Sequence, residues 1–310
     1  MQILVTGGLG HIGSKLIREY AEREDIELIR IIDNLSTQRY CSLFNLPHAR
    51  YQFIDGDIGN KKDLENAMKD IDVVIHLAAI TDAPLTIKNP KETFKVNYNY
   101  VKNVLETALN SNVKKFLFPS TTSVYGETEG LVDENSSNEV YKPASPYAES
   151  KLKAEKLVQD YYKKGLNTTV LRMGTIFGTS IGMRFHTAVN KFCYLVVLKK
   201  PLTVWENALN QKRPYLGLYD CIRAFIFLEK NGKPGELYNV VSGNFTVQEV
   251  VDAIKKFREV EIEFTKSPIL NQKSYEVSNK KIRNLGFDFK DSLSGGVKAT
   301  LDYFSAIKNE

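Results

Sequence analysis

Tyr147 and Lys151 stand four apart in Pro146-Tyr147-Ala148-Glu149-Ser150-Lys151, and on a helix that spacing brings a phenol and an ammonium to one face. A phenol with a pKa of about 10 is a poor base at neutral pH, and a neighbouring ammonium favours the phenolate. Lowering that pKa by roughly 3 takes about 4 kcal/mol of differential stabilisation, within reach of a partly buried site that also holds a second positive charge. A Tyr/Lys pair at this spacing is common on protein surfaces. It gains meaning from the hydroxyl-rich Ser120-Thr121-Thr122-Ser123-Val124-Tyr125-Gly126, just beyond an apolar run that reads as a strand. In open α/β sheets that carboxyl edge is where ligands bind.

A second constellation opens the chain. Thr6-Gly7-Gly8-Leu9-Gly10-His11-Ile12-Gly13 falls between a first strand and a first helix. Glycines at 7, 10 and 13 suit a tight turn, close backbone approach to a pyrophosphate, and packing of helix on strand. The helix amides, His11 and Ile12 among them, then face phosphate oxygens. Asp33 follows Gly13 by twenty residues, at the end of the second strand. A carboxylate there accepts hydrogen bonds from both hydroxyls of an adenosine ribose and repels a 2′-phosphate, so NAD is expected rather than NADP. The competing reading of Asp33 is a turn cap in Asp33-Asn34-Leu35-Ser36. Asp57-Ile58 follows the third strand, where a side chain meets an adenine. Leu77-Ala78-Ala79 after His76 are small enough to admit the dinucleotide backbone.

These groups need a scaffold, and hydropathy patterning supplies one. Ile3–Thr6, Leu28–Asp33, Tyr51–Ile54, Val73–Leu77, Lys115–Pro119 and Thr168–Leu171 read as strands, several apolar on both faces as a helix-covered parallel sheet requires. Ile12–Glu22, Lys61–Lys69, Pro90–Ser111 and Pro146–Lys163 read as the helices between them. The alternation predicts an α/β fold with a doubly wound parallel, Rossmann-type sheet over residues 1–174. Residues 175–310 read as a smaller, mainly substrate-binding lobe. It comprises a helix over Met183–Leu198, strands at Leu202–Trp205, Tyr215–Leu218, Leu237–Val241 and Glu261–Phe264, and helices at Tyr219–Lys230, Val247–Phe257 and Ser292–Ile307. Segment 215–241 is able to return to the main sheet.

Composition bounds the rest. The 310 residues are 43% hydrophobic and 25% charged, which excludes disordered and collagen-like classes. No apolar run approaches a membrane span. The apolar Ile3-Leu4-Val5 directly after Met1 leaves no room for a signal peptide, so a cytoplasmic protein is expected. Forty-two basic against 37 acidic residues give a net charge of +5, spread without a block that would bind nucleic acid. Three cysteines make no disulfide framework, and His11, His48, His76 and His186 have no ligand spacing, so no metal is expected. Trp205 reads as packing in the second lobe.

Taken in order, these motifs resemble the extended short-chain dehydrogenase/reductase family, in its nucleoside-diphosphate-sugar epimerase branch typified by UDP-glucose 4-epimerases. The likeness is densest from Gly7 to Gly178. It implies NAD held by the Gly7–Gly13 turn, Asp33, Asn34, Ser36, Asp57, Ile58, Leu77, Ala78, Ala79, Asn97, Tyr147 and Lys151. It implies Tyr147 as acid/base, Lys151 as ribose contact and pKa modulator, and Thr121 as the hydroxyl that holds the reacting sugar oxygen. Tyr100 departs from the glycine frequent in relatives. Arg172-Met173-Gly174-Thr175-Ile176-Phe177-Gly178 resembles the family's Arg-x-x-Asn-Val-Tyr-Gly, with Thr175 in place of a substrate-binding asparagine. Arg213 matches the diphosphate-clamping arginine, and a guanidinium fork suits phosphate oxygens. Lys273 keeps the charge of a second arginine without its fork. Asn190 is a further candidate for the diphosphate.

Dehydratases of the family carry an Asp-Glu pair after the catalytic hydroxyl, and decarboxylating relatives a glutamate at the second of these places. Thr122 and Ser123 stand there instead. The expectation is an NAD-dependent C4 epimerase of a nucleoside-diphosphate sugar, UDP-sugars by default, acting through a transient 4-keto sugar. A sibling 4-keto-sugar reductase or UDP-glucuronate decarboxylase is the alternative, and a non-catalytic NAD-binding sensor the rival from another class. The resemblance also implies a homodimer joined through a four-helix bundle of helices near 90–111 and 146–163.

Overall fold

Side chains of the first strand alternate between two cores. Ile3 and Val5 pack with Leu16, Ile17 and Tyr20 of the helix that follows, while Leu4 points the other way, into a cluster with Val101, Val104, Ala154 and Val158. All are buried, so this strand is covered by helices on both faces, as its unbroken apolar run requires. The structure, a computed structural model, describes residues 1–126, 128, 130–136, 140–266 and 274–305.

The first part of the chain runs β1 (Gln2–Thr6), α1 (His11–Ala21), β2 (Leu28–Asp33), β3 (Tyr51–Asp55), α2 (Lys61–Ala67), β4 (Val73–His76), α3 (Ala83–Lys88), α4 (Pro90–Phe94), α5 (Tyr100–Asn110), β5 (Lys115–Thr121), β6 (Gly130–Val132), α6 (Pro146–Lys163) and β7 (Thr168–Met173). It continues with β8 (Thr175–Phe177), α7 (Ala188–Val197), β9 (Leu202–Trp205), β10 (Lys212–Gly217), α8 (Leu218–Asn231), β11 (Leu237–Val240), β12 (Gly243–Thr246), α9 (Val247–Lys255), β13 (Ile262–Thr265), β14 (Tyr275–Val277), α10 (Lys280–Asn284) and α11 (Leu293–Tyr303).

Seven parallel strands form the main sheet in the order β11-β7-β5-β4-β1-β2-β3. Strand order reverses between β1 and β4, opening a crevice at their carboxyl ends. The fold is the doubly wound Rossmann type read from the sequence. The chain leaves this sheet after β7 and comes back once, at β11. In the second lobe, β10 joins β8 and β12 in a small three-stranded sheet, with α7, α9 and α11 packed around a separate apolar cluster. Buried Asp220, in the first turn of α8, ties the lobes together by accepting from the backbone of Lys290 and Asp291 and from Ser242 Oγ.

Two expected helices differ. Pro90–Ser111 is divided by a π-helical turn at Lys95–Asn99, which carries the buried Asn97. The Asn97 amide is held by the Ile80 backbone on both sides, N–H to Oδ1 at 2.9 Å and Nδ2 to C=O at 2.8 Å, and widening of the helix at that point accommodates it. Met183–Thr187 precede α7 rather than belonging to it, because they lie across the crevice instead of packing one face of a helix. Helix α11 begins at Leu293 behind the Ser292 cap, and residues 306 and 307 of the expected terminal helix lie outside the described residues. Among the described residues no helix is long and apolar enough to cross a membrane.

Candidate active site

A cleft of about 740 Å³ follows the carboxyl ends of β1, β2, β4, β5 and β7 and is closed from above by β8, β10 and the segment before α7. At one end lies the glycine-rich turn. Gly7 has φ +66°, and a Cβ there would sit 2.6 Å from the Ala78 backbone, so glycine is required for both conformation and contact. Helix α1 starts at His11 with no side-chain cap and no acidic residue in its first turn. Its first amide donors therefore remain directed at an anion in the cleft. Thr6 Oγ1 receives the Ala78 N–H (3.3 Å) and meets His76 Nδ1 (2.9 Å), which fixes the β4 end beside the turn.

Asp33 ends β2 and takes the N–H groups of Leu9 (3.2 Å) and Leu35 (3.0 Å), bracing the glycine-rich turn from below. Burial pushes its pKa up, opposed by those two backbone bonds. Asn34 links across to Asp57, Nδ2 to Oδ2 at 2.9 Å, and accepts from the Ser36 N–H. Asp33, Asn34, Ser36, Asp57 and Ile58 line one end of the cleft. Tyr100 lines it too, its ring lying where a Cβ on Gly59 would be 2.2 Å away, so the absent side chain at 59 makes room for the unusual aromatic.

Thr121 is the last residue of β5 and Tyr147 lies in the first turn of α6, after a Ser145 cap and Pro146. Tyr147 and Thr121 both line the cleft. Burial raises the pKa of the phenol, opposed by the Arg184 charge and by the Thr121 hydroxyl. Thr121 Oγ1 also accepts the Ser123 N–H at 3.1 Å, so the hydroxyl has a fixed direction. Lys151 Nζ donates to the Pro119 carbonyl at 2.9 Å and sits 4.8 Å over the Phe118 ring. Burial lowers its pKa to about 8, opposed by Glu155. The two cationic residues are differently placed: Lys151 is anchored to β5 and Arg184 lines the cleft.

From the second lobe, Thr175 on β8 lies opposite Tyr215 of β10, and both line the cleft with Arg213. Arg213 donates to Lys212 O (2.7 Å) and Gln211 Oε1 (2.9 Å), and its guanidinium lies 5.5 Å over Tyr275.

The cleft brings together the glycine-rich turn with His11 and Ile12, and the Asp33, Asp57 and Leu77–Ala79 groups. It joins to them Thr121, Tyr147, Thr175 and Arg213. Three expected site residues do not line it. Asn97 is spent on Ile80 and on Ser150 Oγ. Asn190 accepts from Gly178 N (3.0 Å) and donates to Gly178 O and Arg184 O, leaving nothing for a diphosphate. Lys151 is buried against β5. Lys273 lies outside the described residues. Arg39, Arg184 and His186 line the cleft without having been expected there. The tight Gly182 was their one available signal, since a Cβ on it would lie 2.5 Å from the Leu9 carbonyl.

A Rossmann sheet with a glycine cradle at one end of its cleft and a Thr/Tyr hydroxyl pair at the other defines a dinucleotide-dependent class acting on hydroxyl-bearing substrates. A family model described as the NAD dependent epimerase/dehydratase family matches residues 3–241, and the chain belongs to that family. It is 34% identical over 258 residues to a dTDP-D-glucose 4,6-dehydratase of Dictyostelium discoideum, covering 77% of this chain and 58% of that protein. It is 30% identical over 325 residues to the uncharacterized UDP-glucose epimerase YtcB of Bacillus subtilis, covering 99% of each. The structure of the Thermus thermophilus UDP-glucose 4-epimerase in complex with NAD matches with a TM-score of 0.86 at 26% identity, over 99% of each chain.

The cofactor is NAD, and the residues present fit it: a close-approach glycine, uncapped helix amides, and a ribose-side carboxylate. Asp33→Asn is expected to weaken NAD binding about tenfold, the loss of one charge-assisted hydrogen bond, and to lower the ratio of NAD to NADP affinity further. Calorimetric titration with both dinucleotides measures this, and an unchanged ratio would contradict the role of Asp33.

Proposed function

We propose that the chain is an NAD-dependent 4-epimerase of a nucleoside-diphosphate sugar, with UDP-sugars as the default class. The observation that carries this reading is the set of proton-moving groups beside Thr121. The positions where dehydratases of the family hold acids are Thr122, whose hydroxyl donates to the Met173 carbonyl at 3.3 Å, and Ser123. Glu92 lines the cleft but is paired with Lys95 at 3.2 Å. Elimination of water needs a further acid and base, whereas inversion at C4 needs only one group that takes a hydroxyl proton and returns it.

Tyr147 is that group. Thr121 holds the sugar O4 against the phenol, and Tyr147 removes its proton as the carbonyl forms. NAD, which the Gly7–Gly13 turn and Asp33 would hold, would supply reversible hydride exchange at C4. Turnover of the 4-keto sugar within the pocket presents its other face, and Tyr147 then reprotonates the oxygen. Arg213 clamps the diphosphate, and Thr175 contacts the sugar from β8. The pocket between the lobes decides which sugar fits.

The direct experiment incubates the purified protein separately with UDP-galactose, UDP-N-acetylglucosamine, UDP-glucuronate and dTDP-glucose, with no added cofactor, and resolves the products. Formation of a C4 stereoisomer is expected. A 6-deoxy-4-keto product, release of carbon dioxide, or a demand for added NADH would replace this reading with a sibling reaction. The proposal includes a homodimer through the helices near 90–111 and 146–163, where Tyr162 of α6 is exposed apolar surface. Sedimentation velocity measures it. Three free cysteines suit a reducing, cytoplasmic setting.

A further inference from the structure

Two loops meet over the glycine-rich turn. Residues 178–187, between β8 and α7, form a strap across the dinucleotide end of the cleft. Ser180 Oγ donates to the His11 carbonyl (2.8 Å), and the Gly182 N–H donates to Ser14 Oγ (2.9 Å). Gly182 lies so close to the turn that a Cβ on it would be 2.5 Å from the Leu9 carbonyl. The loop after β2 is fastened to the same turn, Ser42 Oγ donating to the Leu9 carbonyl at 2.8 Å. Cys41 Sγ lies 3.7 Å from the Ile181 carbonyl, which joins this loop to the strap.

Each loop carries an arginine that lines the cleft. Arg39 Nη1 would be 3.8 Å from a Cβ on Gly10, the residue that precedes α1. Arg184 follows Gly182 by two residues, and its Nη1 donates to Thr81 Oγ1, beyond the end of β4. Its side chain therefore crosses the groove between the glycine-rich turn and the β4 end. That is the one hydrogen bond its guanidinium makes to a described residue, and Nε is buried without a partner. Arg39 makes no hydrogen bond or ion pair with a described residue. Lys95, another cation of the cleft, is by contrast paired with Glu92.

A dinucleotide brings a diphosphate with two negative charges to this end, where Asp33 and Asp57 already line the cleft. The start of α1 offers only about half a positive charge. The balance must come from cations with unspent donors, and a guanidinium fork suits phosphate oxygens. We propose that Arg39 and Arg184 bind the diphosphate of NAD, covering it from the two joined loops while the α1 amides meet it from the turn. The inference goes beyond the epimerase reading and rests only on NAD as the cofactor.

The test uses protein loaded with radiolabelled NAD. It follows exchange of the label against excess unlabelled NAD, together with the phosphorus NMR resonances of the bound dinucleotide. Arg184→Met and Arg39→Met are each expected to speed exchange about 10- to 100-fold, the loss of one charge-assisted bond, and to move the diphosphate resonances. Arg184→Lys should fall between parent and Arg184→Met, since it keeps the charge without the fork. With Arg39→Met it carries the test should Arg184→Met fail to fold. Ser180→Ala loosens the strap without removing a charge, and is expected to leave the resonances in place. Unchanged exchange or unmoved resonances in either arginine variant overturns the proposal. Resonances that move as far in Ser180→Ala overturn it too, because the shape of the strap and not its charge would then be responsible. Calorimetric titration of the NAD-loaded variants with UDP is expected to match the parent; weakened UDP binding with unchanged exchange would put the arginines at the sugar nucleotide instead. No sugar is turned over in these measurements, so absence of epimerisation on every substrate would defeat the proposed reaction and leave this assignment standing.

Discussion

Tyr147→Phe is expected to lower turnover about 10³-fold while leaving NAD bound. In the proposed reaction the phenol OH both gives and takes the proton, and general acid–base groups contribute about 10²–10⁴ in rate. The substitution removes one oxygen and leaves the half-buried ring in place. A 10³-fold loss corresponds to about 4 kcal/mol of transition-state stabilisation, far more than one neutral hydrogen bond contributes to stability. Turnover and thermal unfolding should therefore separate, with rate falling steeply and the unfolding midpoint moving little. Comparable falls in both would mean that the hydroxyl is structural, and near-normal turnover would mean that another group moves the proton.

Much of the cofactor end was legible in the sequence because its signals are local. A glycine that must approach another backbone, a helix without an N-terminal acid, and a carboxylate twenty residues on all sit within one βαβ unit. The Thr121 and Tyr147 pairing was legible for a related reason, since a strand end and a first helical turn at the same sheet edge meet whatever lies between them. What stayed hidden depends on contacts far apart in sequence. Asn190 looks like a polar residue on a helix face, and its real partners are backbone groups of a strap that periodicity merges into α7. Asn97 likewise serves the Ile80 backbone from a π turn that a continuous helical pattern conceals.

Lys151 shows the limit most plainly. A spacing of four residues puts two side chains on one helical face, but it does not say which neighbour captures the longer one. Here the carbonyl of Pro119, in a strand threaded through the middle of the sheet, captures the ammonium. Arg184 enters the same cleft from a segment with no local pattern. Electrostatic partners are set by tertiary approach, and a one-dimensional spacing rule reaches them only when both lie on one element.

Arg172→Met is expected to destabilise the fold by about 3–5 kcal/mol, because it leaves Glu155 charged and buried without its partner. Arg172 on β7 meets Glu155 on α6 through Nη2 to Oε2 at 2.6 Å and Nε to Oε1 at 2.9 Å, with side chains only 4% and 5% exposed. Its guanidinium lies against the neighbouring rings of Tyr125 (4.9 Å) and Tyr141 (4.7 Å), and Nη1 donates to Tyr141 Oη at 3.1 Å. Burial alone would depress the guanidinium's pKa, and the hydrogen bonds and charge of Glu155 more than reverse that. Ser120, one residue before Thr121, donates its hydroxyl to the same carboxylate, so the pair also fixes the strand end that carries Thr121. Urea unfolding of Arg172→Met and of the double variant Arg172→Met/Glu155→Leu separates two contributions. The double variant removes both charges and should recover a large part of the lost stability, since an apolar replacement for a buried pair is often near neutral. Its turnover should nevertheless stay low, because Ser120 then has no carboxylate to hold it. A double variant as unstable as the single would show that the contacts of the guanidinium with Tyr125 and Tyr141, and not the ion pair, carry the stability; full activity in it would show that Thr121 is held without this brace.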